Sequence, residues 1–200
     1  MKSLQLFIKR AMDIVCSILA IIILIPLFIL LALLIKLDSS GPFFFIQDRL
    51  GKNGEVFKII KFRTMIVGAE NIGRGLKVES AEDSRITRVG RFLRDTSLDE
   101  IPQLLCILRG TMSLVGPRPP DPYHPYNGYY NYPEWAKKRF TMRPGVTGLA
   151  QIRVRNSVSW DKRIEIDNEY INKFSIWFDI RILLHTVIAL VNRKNVYAAE

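Results

Sequence analysis

Two adjacent carboxylates, Asp99 and Glu100, follow a row of arginines at positions 85, 88, 91 and 94. A pair of this kind can do chemistry on phosphorus. An ionised aspartate attacks as a nucleophile, and its neighbour holds a divalent ion or handles protons. The residues after Glu100 read as helical, and a helix N-terminus favours the ionised carboxylate. The segment Ser97-Leu-Asp-Glu100 also fits a capping box, with Glu100 three residues past Ser97. Pro102 complicates the cap, because a proline at that point removes a helical hydrogen bond. On local pattern alone, cap and reactive pair both stand.

The cations around the pair carry their own readings. Arginines at every third position drift slowly around one helical face and could bind diphosphate or lipid headgroups. A solvated basic face is the plain alternative. Gly116-Pro-Arg-Pro119 fixes Arg118 on a stiff loop, which suits a positioned phosphate contact or a turn with an exposed charge. Lys61 and Arg63 alternate along a strand and share a face. Arg143 opens Arg143-Pro-Gly-Val-Thr-Gly148, whose amides could meet an anion. There is no Walker loop and no G-x-G-x-x-G, so nucleotide binding of those kinds is not indicated. His124 and His185 are isolated, and no Cys/His cluster of metal type occurs.

The elements that must position these groups follow from hydrophobic patterning. Asn53-Gly54 between the apolar runs 43–47 and 56–62 signals a hairpin. Residues 66–84 are polar and glycine-containing, a mobile surface loop. Over 87–108 the pattern is helical, with Leu98, Ile101, Leu104, Leu105 and Leu108 as a buried stripe. Further helices are expected from 134 to before Pro144, over 159–174 and over 178–192. No internal repeat is present. The result is an α+β chain, mainly helical, with one small β-hairpin.

Residues 14–35 form a nearly unbroken apolar run with Pro26 inside it. A bilayer crossing takes about 20 residues. Lys2, Lys9 and Arg10 flank one end and Lys36 the other, so both ends lay claim to the cytoplasmic side. A proline bends a helix, and either a crossing or a helix that returns from one leaflet fits the run. No small-residue cleavage site follows, so removal as a signal peptide is not expected. Cys16 lies in the run and Cys106 in a helical pattern, which argues against a disulfide and for a reducing compartment. The 29 Lys+Arg against 19 Asp+Glu give +10, which suits lipid headgroups, phosphorylated substrates or nucleic acid. A membrane-tethered basic binding module without catalysis would account for the charge and the anchor. It leaves the acidic pair and the Pro-Arg-Pro loop unexplained.

In this order the motifs resemble a known family. Lys9-Arg10 with Asp13, Lys61-Phe-Arg-Thr-Met65, and Arg94 before Ser97-Leu-Asp-Glu-Ile-Pro-Gln103 carry the first half of the likeness. Gly116-Pro-Arg-Pro119, Arg143-Pro-Gly-Val-Thr-Gly-Leu-Ala-Gln151, Arg155-Asn156, Ser159-Trp160 and Phe178-Asp179 carry the second. Across nearly all 200 residues the chain resembles the bacterial sugar transferases, the monotopic polyprenyl-phosphate phosphoglycosyl transferases, at the size of their minimal catalytic core.

The resemblance implies transfer of sugar 1-phosphate from a UDP-sugar to a polyprenyl phosphate such as undecaprenyl phosphate, with release of UMP. It makes Asp99 the nucleophile, Glu100 its acidic partner, and the two together a Mg²⁺ site. It makes Arg94 and Arg118 phosphate contacts, with Lys61, Arg63, Arg143 and Arg155 as further candidates. It implies an anchor over 1–37 and a catalytic domain over 38–200 lying on the cytoplasmic leaflet of the bacterial inner membrane. No nucleic-acid partner is implied, and an oligomer is compatible. With the active site inside and Lys9-Arg10 inside, the expected anchor is a re-entrant helix bent at Pro26.

The sequence departs from the family pattern in three places. Ile25 replaces a serine whose hydroxyl would bond the carbonyl freed by Pro26, and Thr111 replaces an aspartate. Arg153-Val154 replaces Asn-Gly, which is expected to reshape the sugar or nucleotide pocket.

Overall fold

The computed structural model describes residues 2–72, 83–154 and 158–191. The chain is α+β and mainly helical, as expected. Helix α1 (Lys2–Asp38) leads into an antiparallel hairpin, β1 (Phe44–Leu50) and β2 (Val56–Phe62). Its register runs from Phe44↔Phe62 to Leu50↔Val56. Asn53 (φ 56°) and Gly54 (φ 80°) both adopt the left-handed conformation at the tip. Asn-Gly tolerates that conformation where most residues resist it, which is why the turn falls there. Beyond the hairpin come α2 (Arg88–Thr96), α3 (Gln103–Leu108), β3 (Ser113–Val115), α4 (Glu134–Lys137), β4 (Gly145–Thr147), α5 (Leu149–Arg153), α6 (Trp160–Lys173) and α7 (Ile176–Val191).

The helix expected over 87–108 is two helices. Thr87 caps α2 by accepting from the Gly90 amide, and Asp38 accepts from the Val89 amide at 2.9 Å. The end of α1 thus satisfies the start of α2. Ser97, left-handed at φ 57°, ends α2 and makes no side-chain cap, so no capping box forms. A tight 3-10 turn, Leu98–Glu100, then leads through Pro102 into α3. The break shifts the helical phase. Cys106 and Ile107 fill the core, whereas Leu98, Ile101, Leu104, Leu105 and Leu108 are only half-buried.

The expected arginine face is likewise divided. Arg85 lies before the helix and is buried, paired with Asp83 at 2.7 Å and donating to the Ile72 carbonyl. Arg88 and Arg91 are exposed. Met65 and Ile86 bridge the base of the 66–84 loop, whose middle lies outside the described residues.

The parallel pair β3–β4 has no counterpart in the sequence reading. Its Ser113↔Gly145 and Val115↔Thr147 pairing brings Gly116 against Gly145 and Gly148. A Cβ on any of the three would strike the backbone of the others, so glycine is what permits this approach. The Gly145 amide donates to the Pro117 carbonyl, and the 143–148 segment is spent on pairing rather than opened to an anion. The same contact fixes the loop that carries Arg118.

Helix α1 reverses the usual amphipathic order. Lys9, Asp13 and Ser17, spaced four apart on one face, are buried against the domain. Phe7, Ile23 and Leu37 face outward at 72%, 74% and 74% exposure. Lys9 pairs with Asp179 of α7 at 2.6 Å and donates to the Val115 carbonyl, while Asp13 accepts from the Leu114 amide. Arg10 donates to the Ile107 and Leu108 carbonyls at the end of α3. At the other end Leu31 and Ile35 pack with Phe62 and Leu93. Both ends of α1 are therefore seated on one domain, and the apolar surface between them faces away from it. The helix is long and apolar enough to cross a membrane, and Pro26 lies inside it without ending it.

Candidate active site

The turn between α2 and α3 presents Asp99 and Glu100 to a cleft of about 1610 Å³. Lys61, on β2, reaches across to Glu100 Oε1 at 2.6 Å and lies 3.9 Å from Asp99 Oδ2. Arg118 Nη2 stands 3.5 Å from the same Glu100 oxygen. Arg94 lines the cleft from α2, where its Nε donates to Thr64 Oγ1 at 2.8 Å. Lys61, Arg94, Asp99, Glu100 and Arg118, expected to act together, thus line one cleft.

The two carboxylates sit in different electrostatic environments. Burial would raise Glu100, but Lys61 and Arg118 outweigh it and hold the carboxyl at about 2. Burial raises Asp99, opposed by Lys61 and reinforced by the charge of Glu100. Among the described residues Asp99 accepts no hydrogen bond, whereas Glu100 is fixed by a lysine and an arginine. One carboxylate is anchored and the other is available. Pairs driven apart in this way divide roles between them.

Other expected site residues lie elsewhere. Arg63 donates to the Ser39 and Ser40 carbonyls at 2.7 Å each and fastens the chain just after α1. Its guanidinium therefore serves the anchor's exit, although the residue borders the cleft. Arg143 donates to the Gly110 carbonyl and is not among the cleft residues. Arg155 lies outside the described residues. Arg153, expected to reshape the pocket, turns away to Glu169 of α6 at 2.6 Å, so the substitution braces α5 on α6 instead.

The cleft also holds residues to which sequence reasoning gave no site role. Arg49 sits on β1, and Trp160 and Arg163 belong to α6. Arg139 is buried in an ion pair with Asp167 at 2.8 Å and donates to the Arg118 carbonyl at 2.7 Å. The alternation Gln47–Arg49 along β1 was the available signal, since it places both on the face that carries Lys61. Part of the lining is apolar or weakly polar, from Ala20 and Leu24 of α1 and Thr186 and Val187 of α7.

An apolar helix long enough to cross a membrane thus lies on a domain whose cleft sets two carboxylates among cations. A model of the family described as "Bacterial sugar transferase" matches residues 4–193, and the chain belongs to that family. It is 44% identical over 196 residues to a UDP-glucose:undecaprenyl-phosphate glucose-1-phosphate transferase of Caulobacter vibrioides, covering 94% of this chain and 72% of that protein. It is 42% identical over 195 residues to the galactosyl transferase CpsE of Streptococcus agalactiae, covering 92% of this chain and 42% of that protein. It is 39% identical over 189 residues to a UDP-N-acetylgalactosamine-undecaprenyl-phosphate N-acetylgalactosaminephosphotransferase of Aeromonas hydrophila, covering 90% of this chain and 43% of that protein. The chain thus spans less than half the length of two of these three relatives.

Proposed function

We propose that the protein is a phosphoglycosyl transferase that moves sugar 1-phosphate from a UDP-sugar to a polyprenyl phosphate, the first membrane step in assembling a glycan or glycoconjugate. The observation that carries the reading is the division within the pair: among the described residues Asp99 accepts no hydrogen bond and lies 3.9 Å from Lys61, whereas Glu100 is fixed by Lys61 and Arg118. In the first step an Asp99 carboxylate oxygen attacks the sugar-bearing phosphorus. A bond from Asp99 to phosphorus forms, the phosphoanhydride bond breaks, and UMP departs. In the second step an oxygen of the lipid phosphate attacks the same phosphorus and returns Asp99 to its free carboxylate. Relatives named for undecaprenyl-phosphate transfer support these substrates.

Each residue has a physical task. Two anions repel, and fixed cations facing the reacting phosphate reduce that barrier. Lys61, Arg94 and Arg118 supply them around the pair. Mg²⁺ ordinarily takes one or two carboxylates together with substrate phosphates and water. Asp99 and Glu100 fit that donor set and would hold it; no group of three or more His, Cys, Asp or Glu side chains for a closed site occurs among the described residues. When bound, the ion would neutralise diphosphate charge. The apolar part of the cleft lining, from α1 and α7, suits a polyprenyl chain arriving from the membrane.

The anchor is read as re-entrant, with the catalytic domain on the cytoplasmic leaflet of the inner membrane. Lys9 and Ile35 are 26 residues apart, about 39 Å along a straight helix, against a hydrocarbon core of about 30 Å. A crossing would put these two anchoring points on opposite faces of the bilayer, yet one domain holds both. Release of UMP from a panel of UDP-sugars, with undecaprenyl phosphate as acceptor, tests the function. The expected result is multiple-turnover UMP release that requires the lipid with at least one sugar; multiple turnovers without the lipid would mark a hydrolase instead.

A further inference from the structure

Beyond the acidic pair, the cleft lining holds three further guanidiniums, those of Arg49, Arg139 and Arg163. Arg139 is 1% exposed, and only its Nη2 is engaged, with Asp167 and the Arg118 carbonyl. Its Nε and Nη1 are buried without a partner, as is Nε of Arg163. Buried donors left unmatched destabilise the fold unless a ligand meets them. Both guanidiniums lie against Trp160, their carbons 5.6 and 5.2 Å from the ring centre. Arg49, held by Gln47 at 2.6 Å, also lines the cleft and lies within range of the Arg118 charge, as Arg163 does. Burial lowers Arg163 and Arg49, and the charge of Arg118 lowers both further. Asp167 and Asp121 are the nearby carboxylates, while Glu100 is taken by Lys61.

We propose that Arg49, Arg139 and Arg163 form a second phosphate site, which holds the phosphate that stays on the nucleotide while Asp99 takes the other. The proposal rests on the transfer reaction above, whose diphosphate donor needs two neighbouring anion positions. Position in the fold selects the nucleotide over the lipid. The site is built on β1, α6 and the 3-10 turn Lys138–Thr141, whereas α1 packs chiefly on α2, α3, β3 and α7. The guanidiniums therefore come from elements on which α1 does not chiefly pack, which favours a water-soluble ligand over a lipid. They also neutralise the departing monophosphate, which eases breakage of the phosphoanhydride bond.

UMP binding to the full chain in lipid nanodiscs tests this directly, with uridine and a polyprenyl phosphate as the other two ligands. Arg139 is built into the core, so the variants are Arg163→Met and Arg49→Met, with Arg163→Lys to restore charge. Loss of a charge-assisted contact predicts UMP affinity about tenfold weaker or more in Arg163→Met. Arg163→Lys should recover part of it, and uridine and lipid binding should not change. Unaltered UMP affinity in both methionine variants would overturn the second site while leaving the transferase reading intact. So would loss of lipid binding with UMP binding retained, which would assign the arginines to the acceptor. Absence of any UMP binding by the wild-type protein would overturn the proposal together with the reaction it rests on.

Discussion

Asp99 and Glu100 are neighbours in sequence but opposites in environment, and that difference sets what each substitution should do. Asp99→Asn keeps shape and removes the attacking charge, so UMP release should fall by about three orders of magnitude or more. Folding should be unchanged, because Asp99 makes no hydrogen bond that the amide would lose. Lys61→Met should act differently. It removes the closest cation from Glu100, whose carboxyl would rise from about 2. Activity should then drop at every pH, with its acid limb moved to higher pH; an unmoved limb in a pH–rate profile would show that Lys61 does not hold Glu100 ionised. The sequence exposed the pair and its lysine because their spacing is local. It did not expose Arg139, whose role depends on Asp167, 28 positions onward, and on the Arg118 carbonyl. Nor did it show that Arg63 and Arg153 are spent elsewhere, since a cation's partner is set by tertiary placement.

At the scale of elements, strong local signals were legible and weak ones were not. Asn53-Gly54 placed the hairpin, and long apolar periodicity placed α1, α6 and α7. The break at Ser97 was hidden because a serine in the left-handed conformation carries no distinctive pattern. β3 and β4 have three residues each, too few for alternation, and pair across about thirty positions of chain. Ion pairs between elements give two measurable consequences. Lys9→Met leaves Asp179 buried beside Tyr170 without its cation, at a cost of about 3–5 kcal/mol. Thermal unfolding should show that loss. Glu169, held at about 2 by Arg153 and Lys173, ties α6 to α5. A depressed folded value means that its contribution is complete above the ordinary glutamate range and is lost as pH falls toward 2. Glu169→Gln should remove no more than about 1 kcal/mol at neutral pH and flatten the stability curve below pH 4.5.

The whole molecule joins an outward-apolar helix to a cleft lined by both cations and apolar side chains. That arrangement suits a reaction between a soluble diphosphate and a membrane-held phosphate at one site. Re-entry of α1 predicts that a cysteine introduced at Ser3 is unreactive to an impermeant reagent added from the periplasmic side. Labelling there would mean that the helix crosses. The sugar is decided by contacts the family likeness does not fix, since relatives at similar identity are named for glucose, galactose and N-acetylgalactosamine. The central claim, that Asp99 carries the phosphosugar, has one most direct test. The purified protein is incubated with its UDP-sugar and no lipid, and its intact mass is measured. A mass increase of one sugar phosphate is predicted, located on Asp99, absent in Asp99→Asn and discharged when polyprenyl phosphate is added. Lipid-dependent turnover by a protein that never gains that mass would contradict the account.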